Sequence, residues 1–335
     1  MSFNGPQQPK RIVALACCVG EGRLKAGVIL NPVAGGGGLM RKRAALEAAL
    51  ASRFAAWDIR LTQEPGDGGH LAMAFAADGC DVVIAAGGDG TGSEVAEGLI
   101  QARRERGAAP ALALVPCGTG ADFARGLDLP RDIEAALSRI TAATPRVVDA
   151  GRATYVDDHG ALASRHFVNI ASAGISAPVS RAVNRDKRKG RASARALFYW
   201  RTVLTFMTYR FQDVRLTVDE AAPIEARVAL VAVCNGRFFG GGMMIAPDAA
   251  LDDGKLDVVV VRAAGKLGLI RDLRLLYGGR HLNHPAVTVL RGSRVAIELA
   301  GDPGPGGIQV EADGEALGRC PATFEALPGA LTLKM

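Results

Sequence analysis

No run in this 335-residue chain reaches 18 consecutive apolar residues, so a membrane-spanning helix is not expected. Its six cysteines (Cys17, Cys18, Cys80, Cys117, Cys234 and Cys320) show no C-x-x-C spacing. That argues against a zinc site or a disulfide framework and for reduced thiols in a cytoplasmic protein. The glycines follow no G-X-Y period, which excludes collagen, and no internal repeat or long low-complexity linker is visible. A G-x-x-x-x-G-K-S/T phosphate loop is missing. So is the acidic residue that a dinucleotide fingerprint places about 20 positions after its glycines. With no RNP-like, OB-like or zinc-finger pattern, nucleic acid is not an expected partner. The apolar stretch after Lys10-Arg11, Ile12 to Val19, is too short for a secretory signal and is read as a leader or short strand.

Glycine is abundant instead, at 42 residues, many clustered beside apolar runs. Such clusters suit loops where a backbone must approach something closely. A chain of this length with 49% hydrophobic and 22% charged residues suggests two globular domains. In the first half, strands at Ala26–Leu30, Ile59–Thr62, Asp81–Ala86 and Leu112–Val115 alternate with helices at Arg41–Arg53, Gly69–Ala77 and Ser93–Glu105. A further helix opens at Asp122–Gly126. The alternation predicts a parallel α/β sheet with ligands at the carboxyl ends of its strands. Beyond about residue 146, strands are read at Arg146–Val156, His166–Ile170, Val214–Val218, Arg227–Cys234, Lys255–Arg262, Ala286–Leu290, Ser293–Leu299 and Ile308–Ala312. Their turn signals predict an antiparallel β-sandwich. Helical insertions are expected at about Arg191–Tyr209 and Leu267–Leu282. The division is thus 24–146 for the α/β domain and 147–322 for the sandwich, with a return of the tail 323–335 to the first domain left open.

Three glycine loops each follow a strand and precede a helix: Asn31-Pro32-Val33-Ala34-Gly35 with Gly36 to Gly38, Gly87-Gly88-Asp89-Gly90-Thr91-Gly92-Ser93, and Pro116-Cys117-Gly118-Thr119-Gly120-Ala121-Asp122. Absent side chains let backbone N–H groups reach phosphate oxygens, and the helix N-terminus adds partial positive charge. Asp89 has a plain reading as a turn or cap residue. Its place between glycines beside Thr91 argues for contact with a metal-bound phosphate. In the second half, Asp252-Asp253-Gly254 and Asp313-Gly314-Glu315 read alone as hairpin turns. A carboxylate at a strand end facing phosphate loops also suits proton acceptance from a substrate hydroxyl.

The order of these motifs, with Gly240-Gly241-Gly242 and Pro247-x-Ala249 between them, resembles the lipid kinases typified by bacterial diacylglycerol kinases and related to sphingosine and ceramide kinases. The likeness covers roughly Leu24 to the C-terminus. It implies an ATP-binding α/β domain, a β-sandwich domain and an active site in the cleft between them. It also implies ATP contacts at Asn31, Pro32, Val33, Ala34, Gly35, Thr62, Gly87, Gly88, Asp89, Gly90, Thr91, Gly92, Ser93 and Thr119. Asp89 would help organise the Mg²⁺-phosphate network, with Asp122 near it. Asp253 matches the side-chain ligand of a structural Mg²⁺, with the carbonyls of Ala250 and Lys255 beside it. Asp313 and Glu315 lie in the motif that supplies the proton acceptor, and the sequence does not separate them. Two departures stand out: Ser93 and Ala121 each occupy a place where the family often has Asn.

The net charge of +6 is uneven. Residues 180–210 hold Arg181, Arg185, Lys187, Arg188, Lys189, Arg191, Arg195, Arg201 and Arg210 against Asp186 alone. Leu197, Trp200, Val203, Leu204 and Met207 recur at helical spacing within that segment. The pattern fits a core helix beside a solvated loop, or an interfacial helix whose basic residues face an anionic membrane. His281-x-x-His284 is read as a loop ahead of Pro285. The expected activity is ATP-dependent phosphorylation of a lipid hydroxyl (diacylglycerol, ceramide or a sphingoid base) by a cytoplasmic, peripherally membrane-associated enzyme. A homodimer is one oligomeric option. The alternatives are a small-metabolite kinase of the NAD kinase type and a catalytically silent lipid- or nucleotide-binding regulator.

Overall fold

A computed structural model describes residues 13–15, 23–117, 120–187, 194–301 and 307–335. Thr119 and the basic residues 188–193 therefore lie outside the described residues. The first half begins with β1 (Val13–Leu15), which pairs antiparallel with β3 (Ala56–Leu61). With β2 (Lys25–Leu30), β4 (Val82–Gly87) and β5 (Ala111–Pro116), β3 forms a parallel sheet in the order β3-β2-β4-β5. Alternate residues of these strands serve opposite faces. Ile29, Val83 and Leu112 meet Phe75, Leu99 and Ile100 of α3 (Asp67–Ala77) and α4 (Asp89–Arg106). Val28, Ile84 and Val115 meet Leu46 and Leu50 of α2 (Arg43–Arg53), which follows the single turn α1 (Gly38–Arg41).

Two helix boundaries differ from the sequence reading. Helix α4 starts at Asp89, inside the expected Gly87–Gly92 loop, because extended Gly88 already acts as its N-cap. The helix opening at Asp122 ends as α5 (Asp122–Gly126), since Asp128 turns left-handed (φ 51°) ahead of Pro130. Helix α6 (Ile133–Ala142) was not anticipated, although Asp132 caps it by accepting from Ala135 N at 3.0 Å. Its buried Ile133, Ala136, Leu137 and Ile140 follow helical spacing.

The second half holds β6 (Arg146–Val156), β7 (Leu162–Phe167), β8 (Ile170–Gly174), β9 (Gln212–Val218) and β10 (Ile224–Cys234). The short β11 (Phe238–Phe239) and β12 (Met243–Met244) precede β13 (Leu256–Arg262), β14 (Val287–Gly292), β15 (Arg294–Leu299), β16 (Gln309–Ala312) and β17 (Glu315–Leu333). Antiparallel pairings run β8-β10-β9-β15-β17-β16 and return to β8, so the sandwich closes around Phe167, Leu216, Val231, Val233 and Phe324. Strand β17 also pairs along β6 and reaches β5 in parallel at Leu333 and Leu112. Its pairing with β6 shifts register near Pro321 and Pro328, where a missing N–H breaks the ladder and lets the strand bend between layers.

Three helices cover the outer face of β8, β10 and β13: α7 (Ser176–Lys187), α8 (Ala194–Thr208) and α9 (Lys266–Asp272). Helix α7 was not anticipated. The helix expected over Leu267–Leu282 is α9 followed by two 3₁₀ turns, Leu273–Gly278 and Arg280–Asn283, separated at left-handed Gly279 (φ 68°). Among the described residues no helix is long and apolar enough to cross a membrane.

Candidate active site

The strand-end loops converge. Asn31 N–H bonds the Ala86 carbonyl at 3.1 Å, and Asn31 Nδ2 donates to Thr91 Oγ1 at 3.1 Å, which ties the first loop to the second. Thr62 joins the cluster through its N–H, 3.1 Å from the Leu30 carbonyl at the end of β2. Gly35 turns left-handed (φ 58°), and a Cβ there would lie 2.1 Å from the Cys117 carbonyl oxygen, so the first and third loops touch. Val33 is exposed. A Cβ on Gly87 would strike Thr91 Oγ1 at 2.5 Å, and one on Gly120 would meet Asp89 Oδ2 at 3.2 Å. The glycines are needed because loop packs on loop.

Asp89 does more than the plain cap reading allows. Its carboxylate accepts from Asp122 N at 3.0 Å and Phe123 N at 3.2 Å, so it caps α5 across the loops rather than its own helix. Buried Asp122 accepts from Gly241 N at 2.7 Å and pairs with Arg125. Burial first, and the nearby Asp89 charge second, raise the Asp122 carboxyl above its ordinary value. The Asp122–Gly241 bond reaches the Gly240–Gly242 turn of the second half, which lies left-handed throughout.

Asp313 and Glu315, indistinguishable by sequence, occupy different environments. Asp313 (φ 48°) and Gly314 (φ 84°) are the two-residue turn joining β16 to β17, of the type that needs left-handed residues at both positions. The Asp313 carboxylate accepts from Val168 N (3.0 Å), Asn169 N (3.0 Å), Ile170 N (3.1 Å) and Ser93 Oγ (2.9 Å). Four donors fill a carboxylate's lone pairs. Burial still pushes this carboxyl above its ordinary value, although those donors pull it down. Glu315 is half-exposed, with Oε2 2.8 Å from Arg165 and Oε1 3.8 Å from where a Cβ on Gly90 would stand. The less engaged carboxylate oxygen at the nucleotide loop is thus Glu315 Oε1.

Sequence reasoning missed a further bond between the halves. Glu97 on α4 accepts from His166 N at 2.8 Å and lies 2.9 Å from His166 Nδ1. Burial pushes the Glu97 carboxyl up, but the His166 side-chain bond and charge outweigh it and hold it low. Residues 69 apart carry no local signal of such a pair.

Asp253 stands apart, on the turn before β13. One oxygen pairs with Arg291 and the other accepts from Lys255 N at 2.9 Å. Gly254 N bonds Asp149 Oδ2 at 2.6 Å, and Gly329 N bonds Asp149 Oδ1 at 2.8 Å, so the turn is fastened by a buried carboxylate. This arrangement does not fit the expected Mg²⁺ held by Asp253, Ala250 and Lys255. A cation there would have to displace a guanidinium that already neutralises the ligand. Among the described residues no group of three or more His, Cys, Asp or Glu side chains forms a metal cluster.

An apolar cavity of about 80 Å³ opens in the second half. Phe198 and Phe206 of α8, Leu269 of α9, Leu230 and Val261 of the sandwich, and His281 are among its walls. Such a lining suits an apolar ligand or part of one.

Residues 25–153 match the family model of the diacylglycerol kinase catalytic domain, and residues 169–335 match the YegS C-terminal NAD kinase beta sandwich-like domain. A Pseudomonas syringae pv. syringae (strain B728a) protein named "Probable lipid kinase YegS-like" is 32% identical over 279 residues, 82% of each chain. The chain belongs to the diacylglycerol kinase family. It is accordingly a phosphotransferase. A diacylglycerol kinase of Staphylococcus saprophyticus subsp. saprophyticus is 31% identical over 264 residues, 78% of this chain and 79% of that one. A crystal structure of a diacylglycerol kinase from Bacillus anthracis str. Sterne superposes with a TM-score of 0.69 at 26% identity, over 94% of this chain and 98% of that one. Within the family the departure at Ser93 acquires a physical sense, because its hydroxyl is the donor that reaches Asp313. Ala121 sits at φ 49°, a left-handed position that Asn tolerates better than Ala.

Proposed function

We propose that this enzyme transfers the γ-phosphate of ATP to a hydroxyl of a membrane lipid, with diacylglycerol, ceramide and sphingoid bases as the acceptor classes. The observation that carries the reading is the Glu315 carboxylate set against Gly90 at the open N-terminus of α4, in the same molecule as an apolar cavity. Backbone N–H groups of the first two loops and the α4 dipole receive the phosphates. A Mg²⁺ bound with the nucleotide supplies neutralising charge on the phosphate oxygens. Glu315 Oε1 takes the proton of the acceptor hydroxyl as its oxygen bonds to phosphorus and the bond to the leaving ADP oxygen breaks. Arg165 fixes the direction of Glu315, and Asp313 holds the Val168–Ile170 backbone and Ser93 in register around it.

Helix α8 supports the lipid reading with two apolar faces. Phe198, Thr202 and Phe206 face the cavity, while Trp200 (62% exposed), Leu204 (53%) and Met207 (55%) face outward. Lys266 Nζ bonds the Met207 carbonyl at 3.0 Å, bringing α9 and its exposed Leu267 alongside. Exposed Arg271, Arg274 and Arg280 follow, and Arg185 and Arg210 flank α8 in sequence. This surface docks on an anionic membrane, the excess of basic residues in the sequence 180–210 supplying the attraction and the cavity wall lying directly behind the inserted ridge.

The test is phosphate transfer from labelled ATP to the three lipid classes in mixed micelles, together with binding to vesicles of graded anionic content. Labelled lipid phosphate and salt-sensitive vesicle binding are expected. Turnover of soluble alcohols with no lipid product would overturn the acceptor class.

A further inference from the structure

The cavity is apolar except at a few atoms, and two of those have hydrogen-bond directions fixed by their surroundings. His281 is 4% exposed, and its Nε2 lies 2.9 Å from the Ile245 carbonyl oxygen. A carbonyl only accepts, so Nε2 carries the proton. Burial holds the imidazole below its ordinary pKa, which keeps the ring neutral near pH 7. Nδ1 is then a bare acceptor. It is buried and has no hydrogen-bond partner among the described residues.

Ser176, the first residue of α7, also lines the cavity. Its hydroxyl oxygen is 2.5 Å from Ser172 Oγ, which donates to Glu311 Oε1 at 3.0 Å. Ser180 Oγ donates to the other Glu311 oxygen at 2.7 Å. A serine has one proton to give. With Glu311 ionised, Ser172 spends its proton on the carboxylate, so Ser176 spends its own on Ser172 and keeps lone pairs alone. In a mostly apolar wall, where Thr202 donates to the Phe198 carbonyl and His284 lies 3.4 Å from Asp272, these two residues thus hold acceptors and no donor.

We infer that the cavity selects a hydrocarbon chain bearing a hydroxyl, which donates to His281 Nδ1 or Ser176 Oγ. A plain methylene chain would leave both acceptors buried and unpaired, which is unfavourable. The chemistry is a hydroxylated long-chain lipid, a hydroxy-acyl chain being the simplest case. This inference rests on the cavity as the place of the acceptor's chain and deepens that reading. It asks nothing of the phosphate-transfer step.

The experiment is displacement of a fluorescent fatty acid from the full chain at pH 8 by stearate and by 2-, 10- and 12-hydroxystearate. At least one hydroxystearate is expected to bind about tenfold more tightly than stearate, the value of one buried hydrogen bond. His281→Phe is expected to reduce that preference and leave stearate binding near wild type. Ser176→Ala, a smaller change, gives the second reading in case the imidazole is needed for folding. Equal binding of all four acids, or a preference untouched by both variants, overturns the inference. Absence of displacement by any of them removes the cavity as a lipid site and the inference with it. A preserved preference in a protein that phosphorylates none of the tested lipids sustains the cavity inference and sinks the proposed lipid-acceptor reading alone.

Discussion

The two halves of this molecule build their sites from different material. On the nucleotide side the working surface is main chain: three glycine-lined strand ends and helix N-termini, with Asp89 and Asp122 both engaged by backbone N–H groups. On the sandwich side it is side chain, an apolar cavity backed by the buried Glu311 with serine donors. A backbone site is set once the strands pair, and its carboxylates serve to fasten N–H donors from neighbouring loops. A side-chain site in a dry core leaves its carboxyl near neutrality, so protonation there costs little and pH becomes a variable.

The sharpest test of the nucleotide side is the Asp313–Glu315 pair. Glu315→Gln is expected to lower kcat by about 10²–10⁴-fold, the usual worth of a positioned base, with nucleotide affinity unchanged. Asp313→Asn, which strips a carboxylate from three N–H groups and Ser93, is expected to lower Tm as well as kcat. Single-turnover kinetics and calorimetry separate the two. Undiminished turnover with both residues substituted would dissolve the contrast.

Glu311 tests the other half through stability. Burial pushes its carboxyl from the ordinary 4.5 to about 7 in the folded protein. Between those values the native state binds more protons than the unfolded one, so stability falls as pH rises from 4.5 and levels off above 7. The loss amounts to up to about 3 kcal/mol. Glu311→Gln is expected to flatten that slope and to raise Tm at pH 8, measured as the difference between wild-type and variant melts across pH. A slope that survives the substitution assigns the titration elsewhere.

Smaller effects probe the fastening of the parts. Because Arg291 neutralises Asp253, a chelator is expected to leave Tm of the nucleotide-free protein unchanged, while Arg291→Ala costs about 1 kcal/mol or less for a partly exposed pair. A chelator-induced fall in Tm that Mg²⁺ restores would return the metal to that turn. Ala121→Gly, relieving a left-handed alanine, is expected to stabilise by about 0.5 kcal/mol. A lower Tm would show that the position needs its methyl.

Much of the nucleotide half was legible because its signals are local. Strands bounded by glycine clusters gave the parallel sheet and the loop positions, and Asn31, Gly35, Gly87, Thr91 and Asp89 do converge. Asp313-Gly314 was legible as a hairpin turn and forms one, whereas the four donors that saturate the Asp313 carboxylate, from residues more than 140 positions away, were not. Helix α6 had its cap and spacing in the sequence and was still overlooked. Glu97 with His166, Glu311 with Ser172 and Ser180, and Asp253 with Arg291 were illegible, since partners 38 to 139 residues apart leave no periodic trace.

The sequence by itself determined the alternation of strands and helices, the glycine loops at their ends and the motif order that marks the family. Those properties depend on residues near one another in the chain, where periodicity and backbone sterics act. Tertiary structure alone decided which carboxylate is saturated and which is accessible, that Arg291 stands where a metal was expected, and that α8 divides its apolar residues between a cavity and the outside. Each of these depends on what packs against a residue from a distant strand, because burial and hydrogen-bond partners set the state of a charged or polar group.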